Sequence, residues 1–223
     1  DIKKMIRFID NYLLKKYDVI SFDIFDTLIE RTCSVPADIF ELTGEAVLGK
    51  DKALKFRADR IEAEHNARHK KTGEEVNISD IYNELDSAYA AFSQQLMDEE
   101  QRQEIVNCKK KESMYGFFQK CVASDKCVIL VSDMYLPEQV IIKMLEKCGV
   151  AGYDDIYISN CYNANKLTGK LFELVMDERG IDRKKIIHIG DSVKADYLGA
   201  RKAGIRSILI GRKNRLKRQL NSK

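Results

Sequence analysis

Residues 19–31 read VISFDIFDTLIER. Val19, Ile20 and Phe22 form an apolar run rich in β-branched and aromatic side chains, and the run stops at Asp23. Such a run bounded by turn chemistry reads as a buried strand. Asp23 then stands at the strand's carboxyl end, where open α/β sheets place their ligands. On this stretch alone an acid that starts a turn accounts for Asp23 as well as a functional one does. The rest of the chain decides between them.

The pattern recurs downstream. KCVILVSD (126–133), DDIYISN (154–160), KKIIHIGD (184–191) and RSILIG (206–211) are short apolar runs. The segments between them have helical spacing, as in YLPEQVIIKMLEKCG (135–149), opened by Pro137 and closed by Gly149. Strands alternating with helices of about 10–15 residues predict a parallel, doubly wound, Rossmann-like sheet. From about 36 to 124 no strand signal appears, and four charged helices are expected: 34–47, 51–71, 77–92 with Ser79 as N-cap, and a long one over 97–124. Ile2, Met5, Ile6, Ile9 and Leu13 add an amphipathic opening helix. The expected organisation is an α/β core over 1–30 and 113–211, an all-α cap over 31–112, and a basic tail over 212–223. An insertion after the first strand lies over the strand ends and can act as a lid.

The 223 residues suit one α/β domain with an insertion, and 44% of them are hydrophobic. Net charge is +3, but the last twelve residues, RKNRLKRQLNSK, carry six Lys/Arg and no acid, leaving the remaining chain at about −3. That body is not a basic nucleic-acid surface, and the tail reads as a solvated end. Six cysteines, at 33, 108, 121, 127, 148 and 161, form no C-x-x-C pair. They fit reduced cytoplasmic thiols better than a disulfide framework or a zinc site. No apolar segment nears the ~20 residues of a membrane span, and no signal peptide is legible. A first residue Asp1 rather than Met reads as a piece of a longer protein.

Polar residues gather at the strand ends. Asp23, Asp26 and Thr27 follow the first strand, Ser132 and Asp133 the second, Lys166 the third, and Asp191, Ser192 and Asp196 the fourth. Singly each has a bland reading: a helix cap, a turn, a surface lysine. Together, at four strand ends of a parallel sheet, they converge on one rim. The chemistry they suit is phosphoryl transfer. A carboxylate can attack phosphorus. Mg²⁺ takes one or two carboxylates with waters and substrate phosphate. A hydroxyl and an ammonium can hold the remaining phosphoryl oxygens.

These residues resemble the motifs of the haloacid dehalogenase superfamily, mostly aspartate-nucleophile phosphatases. FDIFDTL matches D-x-D-x-[TV]-L at Asp23, Thr27 and Leu28; VILVS matches the second motif at Ser132. KLTGKLF keeps the third-motif spacing from Lys166, and GDSVKAD matches G-D-x-x-x-x-D at Gly190, Asp191 and Asp196. The resemblance spans about 17–211 and implies a catalytic set of Asp23, Ser132 and Lys166, to which Asp26 is added as a candidate substitute acid. It implies substrate contacts from Thr27, Ser132, Asp133 and Lys166, and Mg²⁺ held by Asp23, the Phe25 carbonyl, Asp191 and Asp196. The helical insertion resembles the family's small type-one cap. SFDIFDTLIER with SDMYLP resembles a subgroup found beside, or fused to, surface-polysaccharide glycosyltransferases.

One position departs from the pattern. The family's phosphatases carry a second Asp two residues after the nucleophile as general acid and base, and here Phe25 stands there. Asp26 comes one residue later, where Gly is usual; it serves the turn, holds Arg31, or reaches back as a substitute acid. The expected function is a Mg²⁺-dependent phosphatase or phosphotransferase acting on a small phosphorylated metabolite through an aspartyl phosphate. The alternatives are a low-turnover phospho-ligand or partner-binding domain, and a hydrolytic dehalogenase. No nucleic-acid partner or membrane insertion is expected, while a fused or adjacent glycosyltransferase domain is.

Overall fold

The computed structural model describes residues 10–211. Of the opening-helix positions, Ile2, Met5, Ile6 and Ile9 lie outside the described residues, as does the basic tail. Leu13 is buried within a helix over 10–16, α1.

The alternating pattern folds as expected. Five strands, β1 (Val19–Phe22), β4 (Cys127–Ser132), β5 (Asp155–Ile158), β6 (Ile186–Gly190) and β7 (Arg206–Leu209), form one sheet in the order β5-β4-β1-β6-β7. Every neighbouring pair in it is parallel. The central strands are apolar without alternation because helices cover both faces. Val19, Ile129, Val131 and Ile186 on one face meet Leu171, Phe172, Val175 and Met176 of α9 (Lys170–Arg179). On the other, Phe22 meets Phe118 of α6 (Glu112–Val122) edge-on, ring centroids 5.6 Å apart. A second, two-stranded sheet pairs β2 (Ile29–Arg31) with β3 (Cys108–Lys110).

The chain divides into two compact units. Among the described residues the sheet unit comprises 10–30, Lys110–Asp133 and 150–211; the helical unit comprises Arg31–Lys109 and Met134–Gly149. The helical unit holds α2 (Asp38–Leu48), α3 (Lys50–Lys70), α4 (Ile78–Tyr82), a 3₁₀ helix over Ser87–Phe92, α5 (Ser93–Val106) and α7 (Glu138–Lys147). On α3 the buried positions Ala53, Phe56, Arg60, Ala63 and Ala67 recur every three or four residues, so one stripe faces inward. Segment 134–149 groups with these helices, not with the sheet residues that flank it in sequence: α7 packs on α5, and Tyr135 reaches Glu100 at 3.0 Å.

Two expectations are corrected. The helix expected over 97–124 ends at Val106, resumes at Glu112, and is interrupted by β3. No Gly or Pro marks the break; the pairing with β2 requires extended backbone there, and the Asn107 carbonyl accepts the Thr32 N–H at 2.8 Å. The helix expected over 77–92 is split, and its N-cap is Asn77, not Ser79. Asn77 and Asp80 bond each other's backbone N–H reciprocally, which satisfies two donors where Ser79 would satisfy one. The six cysteines are free thiols; Cys108 and Cys148, both buried in the helical unit, have sulfurs 3.6 Å apart.

Candidate active site

Parallel register assembles the site. Phe22 pairs with Leu130 on one side and Ile189 on the other, so β1, β4 and β6 run out together. Asp23, Ser132 and Asp191 therefore emerge at one edge of the sheet, all three buried. The Asp23 N–H still donates to the Ile189 carbonyl at 2.9 Å, which holds it at the strand end. Its Oδ2 accepts the Thr27 hydroxyl at 2.9 Å and its Oδ1 accepts the Lys166 ammonium at 2.6 Å. Burial raises the Asp23 pKa. Lys166 offsets part of that, the Asp196 and Asp191 carboxylates add to it, and the value is pushed up to about 7.

Lys166 bridges two acids. Its Nζ lies 2.6 Å from Asp23 Oδ1 and 2.5 Å from Asp196 Oδ1, and all three side chains are buried. Burial works against the ammonium, but Asp23 and Asp196 outweigh it and hold Lys166 charged, above its ordinary value. Burial likewise works against the Asp196 carboxylate, and the Lys166 ammonium and the His188 hydrogen bond reverse it, keeping Asp196 ionised. Asp196 has both oxygens engaged: Oδ1 by Lys166 and by His188 Nε2 at 3.0 Å, Oδ2 by the Ser192 N–H at 2.8 Å.

The backbone makes room for this. Asp196 sits on a π-helical turn, Val193–Gly199, an irregularity concentrated at functional sites. A β-carbon on Gly190 would lie 2.2 Å from the Asp196 carboxyl carbon, so only glycine lets that carboxylate lie against the strand. One on Gly199 would lie 1.9 Å from the Lys166 carbonyl oxygen, so glycine also sets how closely the lysine loop approaches. Asp133 secures the same loop from the other side, its Oδ1 accepting the Lys166 N–H at 2.8 Å.

Asp23, Asp191 and Asp196 each offer a carboxylate oxygen within 4.8 Å of the others. Three buried hard-oxygen donors this close fit a divalent cation such as Mg²⁺. Phe25 and Asp26 lie in the turn after Asp23. Asp26 adopts a left-handed conformation, φ 59°, which Asp tolerates better than most residues. Its N–H donates to the Ile29 carbonyl at 2.7 Å and its carbonyl accepts the Lys111 ammonium. Its backbone thus builds the turn. Arg31 makes a two-pronged bond to Glu104, 2.8 Å at each contact.

The motif reading did not include His188 and Ser21. Both are buried, and they are cross-strand partners on β6 and β1. A signal was present: each is the polar residue in the middle of an otherwise apolar strand, shortly before a strand-end acid. His65, Arg68 and His69 of α3 are exposed.

The family model for haloacid dehalogenase-like hydrolases matches residues 17–204. Among solved structures, the candidate HAD-hydrolase YfnB from Bacillus subtilis, bound to magnesium, superposes with a TM-score of 0.62 at 16% identity, over 87% of this chain and 89% of that one. L-2-haloacid dehalogenase from Xanthobacter autotrophicus, with chloropropionic acid covalently bound, gives 0.60 at 14% identity, over 92% and 83%. A candidate phosphatase from Clostridium difficile gives 0.57 at 18%, over 91% and 90%. These likenesses establish a shared fold. Among curated proteins no sequence matches.

Proposed function

The chain belongs to the haloacid dehalogenase-like hydrolase family, and within it we propose a Mg²⁺-dependent phosphatase or phosphotransferase acting on a small phosphorylated metabolite through an aspartyl phosphate on Asp23. The observation that carries this reading is the set of three buried carboxylates, Asp23, Asp191 and Asp196, within 4.8 Å. Displacement at carbon requires no such charge concentration, whereas a phosphoryl group needs its own charge neutralised at the moment of transfer.

In this reading Asp23 and Asp191, with the Phe25 carbonyl, hold the ion, and Asp196 orients Lys166. When bound, Mg²⁺ neutralises charge on the phosphoryl oxygens and on the facing carboxylates. Asp23 attacks phosphorus, a bond forms from its carboxylate oxygen, and the ester P–O bond breaks with the electron pair leaving on the alkoxide, which takes up a proton. Lys166 and the Ser132 hydroxyl hold the remaining phosphoryl oxygens. Water then attacks phosphorus, releases inorganic phosphate and regenerates Asp23. Thr27 keeps Asp23 Oδ2 in place through the 2.9 Å hydrogen bond.

Phe25 limits both steps. It can lend a carbonyl to the ion but no proton to the leaving group, and general acid–base help is worth ~10²–10⁴ in rate. Esters with good leaving groups are therefore the better substrates. The same residue favours a second reading, a phospho-ligand-binding domain with little turnover. We further assign the helical unit as a type-one cap and the protein as cytoplasmic. The stretches SFDIFDTLIER and SDMYLP support a role beside a surface-polysaccharide glycosyltransferase. Among the described residues no helix is long and apolar enough to cross a membrane.

The test is turnover of a panel of sugar phosphates and an aryl phosphate, with Mg²⁺ and with chelator. Mg²⁺-dependent release of phosphate, faster from the aryl ester, is expected. Calorimetric binding of panel members without turnover would replace the phosphatase with the binding domain.

A further inference from the structure

Ser21 and His188 have no part in the family motifs, yet they lie against the centre of the site. They face each other across β1 and β6, and both are fully buried. Ser21 Oγ is 2.8 Å from His188 Nδ1, and His188 Nε2 is 3.0 Å from Asp196 Oδ1. Phe172 meets the imidazole edge-on with centroids 4.7 Å apart, which fixes the plane of the ring. We propose that Ser21 and His188 form a buried positioning relay that fixes the Asp196 carboxylate and, through it, the Lys166 ammonium against Asp23.

The direction of the His188–Asp196 hydrogen bond follows from the donors present. Asp196 already accepts from the Lys166 ammonium and the Ser192 N–H, two groups that only donate, so its carboxylate is ionised and only accepts. Nε2 facing it must carry the proton. With the proton on Nε2, the Ser21 hydroxyl, which can donate or accept, meets Nδ1 at 2.8 Å. The order is Ser21 Oγ with Nδ1, Nε2–H to Asp196, and Lys166 to both Asp196 and Asp23.

The relay has a mechanical purpose. Asp196 is carried on an irregular turn, and within that turn its carboxylate is bonded by the Ser192 N–H. His188 ties the carboxylate to the paired central strands β1 and β6, and a ligand-bearing group placed on such elements is held more accurately than one held by a loop. Lys166 inherits that accuracy at the 2.5 Å contact.

The activity arm of the test rests on the phosphatase reading; the spectroscopic arm does not. The chain has three histidines, so ¹⁵N-histidine labelling of the whole protein gives few imidazole signals, and those lost in His188→Gln assign the ring. The wild type is expected to show a proton on Nε2. A ring with no proton on Nε2 would overturn the relay. On an aryl phosphate, His188→Leu is expected to lower kcat ~10–100-fold, the usual cost of removing such an outer partner, with KM little moved. His188→Gln, which keeps an N–H within reach of Asp196, should recover most of that loss. Equal losses in Leu and Gln variants that both melt as folded proteins would make His188 a packing residue and overturn the proposal. If the wild type turns over no phosphate ester, the phosphatase reading fails, and the imidazole spectrum still decides the relay.

Discussion

Each unit buries a cation between carboxylates, and the two arrangements differ in what they leave over. In the helical unit Arg60 is fully buried. Its Nε and Nη2 grip Glu100 at 2.8 and 2.7 Å, its Nη1 meets Glu64 at 3.3 Å, and Phe40 lies 4.3 Å from its guanidinium carbon. Glu100 also accepts the hydroxyls of Tyr82 and Tyr135 at 2.8 and 3.0 Å. Every strong donor faces an acceptor inside the cluster, and its aromatic walls close it. In the sheet unit Lys166 is buried as deeply between Asp23 and Asp196, and a third carboxylate, Asp191, has an oxygen within 4.8 Å of theirs. Three hard-oxygen donors this close suit a divalent cation. Buried charge is therefore no sign of a reactive site by itself; carboxylates gathered at the ends of parallel strands are.

The largest effect expected is on chemistry. Asp23→Asn should lower phosphate turnover on the order of 10⁴-fold or more, since it removes the nucleophile. It should also raise the melting temperature of the ion-free protein. The folded pKa of Asp23, about 7, lies above the ordinary value of 3.8, so its ionisation costs stability that builds up as pH rises from about 4 to about 7. The gain in melting temperature should thus be larger at pH 8 than at pH 4. The reverse order would show that Asp23 is stabilised as a carboxylate.

Phe25→Asp should raise turnover of an alkyl phosphate by ~10²–10⁴ and of an aryl phosphate by less. Phe25 is only half-buried, so the variant should fold, which its thermal melt will establish. A folded Phe25→Asp no faster than wild type would show that protonation is not what limits the reaction. If Asp26→Asn in the wild-type background abolishes alkyl-phosphate turnover, Asp26 is the acid.

The closed cluster predicts a stability effect instead. Arg60→Ala should cost about 3–5 kcal/mol in chemical denaturation, because Glu100 is left buried without its partner. The pair Arg60→Met with Glu100→Leu should recover only part of it, because the Tyr82 and Tyr135 hydroxyls lose their acceptor. A loss near zero for the single variant would mean that water reaches the cluster. Gly190→Ala should cost less, about 1–3 kcal/mol for overpacking, and should lower turnover as well, because its β-carbon displaces Asp196. Stability lost with activity kept would contradict the placement of Asp196.

The sheet unit was legible because its strands announce themselves. VISF, CVILVS and IIHIG are apolar runs, and the acids that follow them sit where parallel strands must end. The helical unit was legible only as helix. Arg60 and Glu100 are 40 residues apart among many charged residues, and nothing local distinguishes a buried arginine from a solvated one. β3 was hidden for a related reason: Cys108–Lys110 is extended because it pairs with β2, far away in sequence. The π-helical turn is equally silent, since nothing local in VKADYLG sets it apart from an ordinary helical turn.

The most direct test of the Asp23 assignment is to trap the phosphoenzyme. Acetyl phosphate, an activated phosphoryl donor that does not require leaving-group protonation, is mixed with the protein and quenched in acid, and the Asp23 peptide is weighed by mass spectrometry. One phosphoryl group on Asp23, present with Mg²⁺, lost with chelator and missing from Asp23→Asn, is the predicted result. Mg²⁺-dependent hydrolysis of acetyl phosphate with the label elsewhere, or no hydrolysis and no label at all, would contradict it.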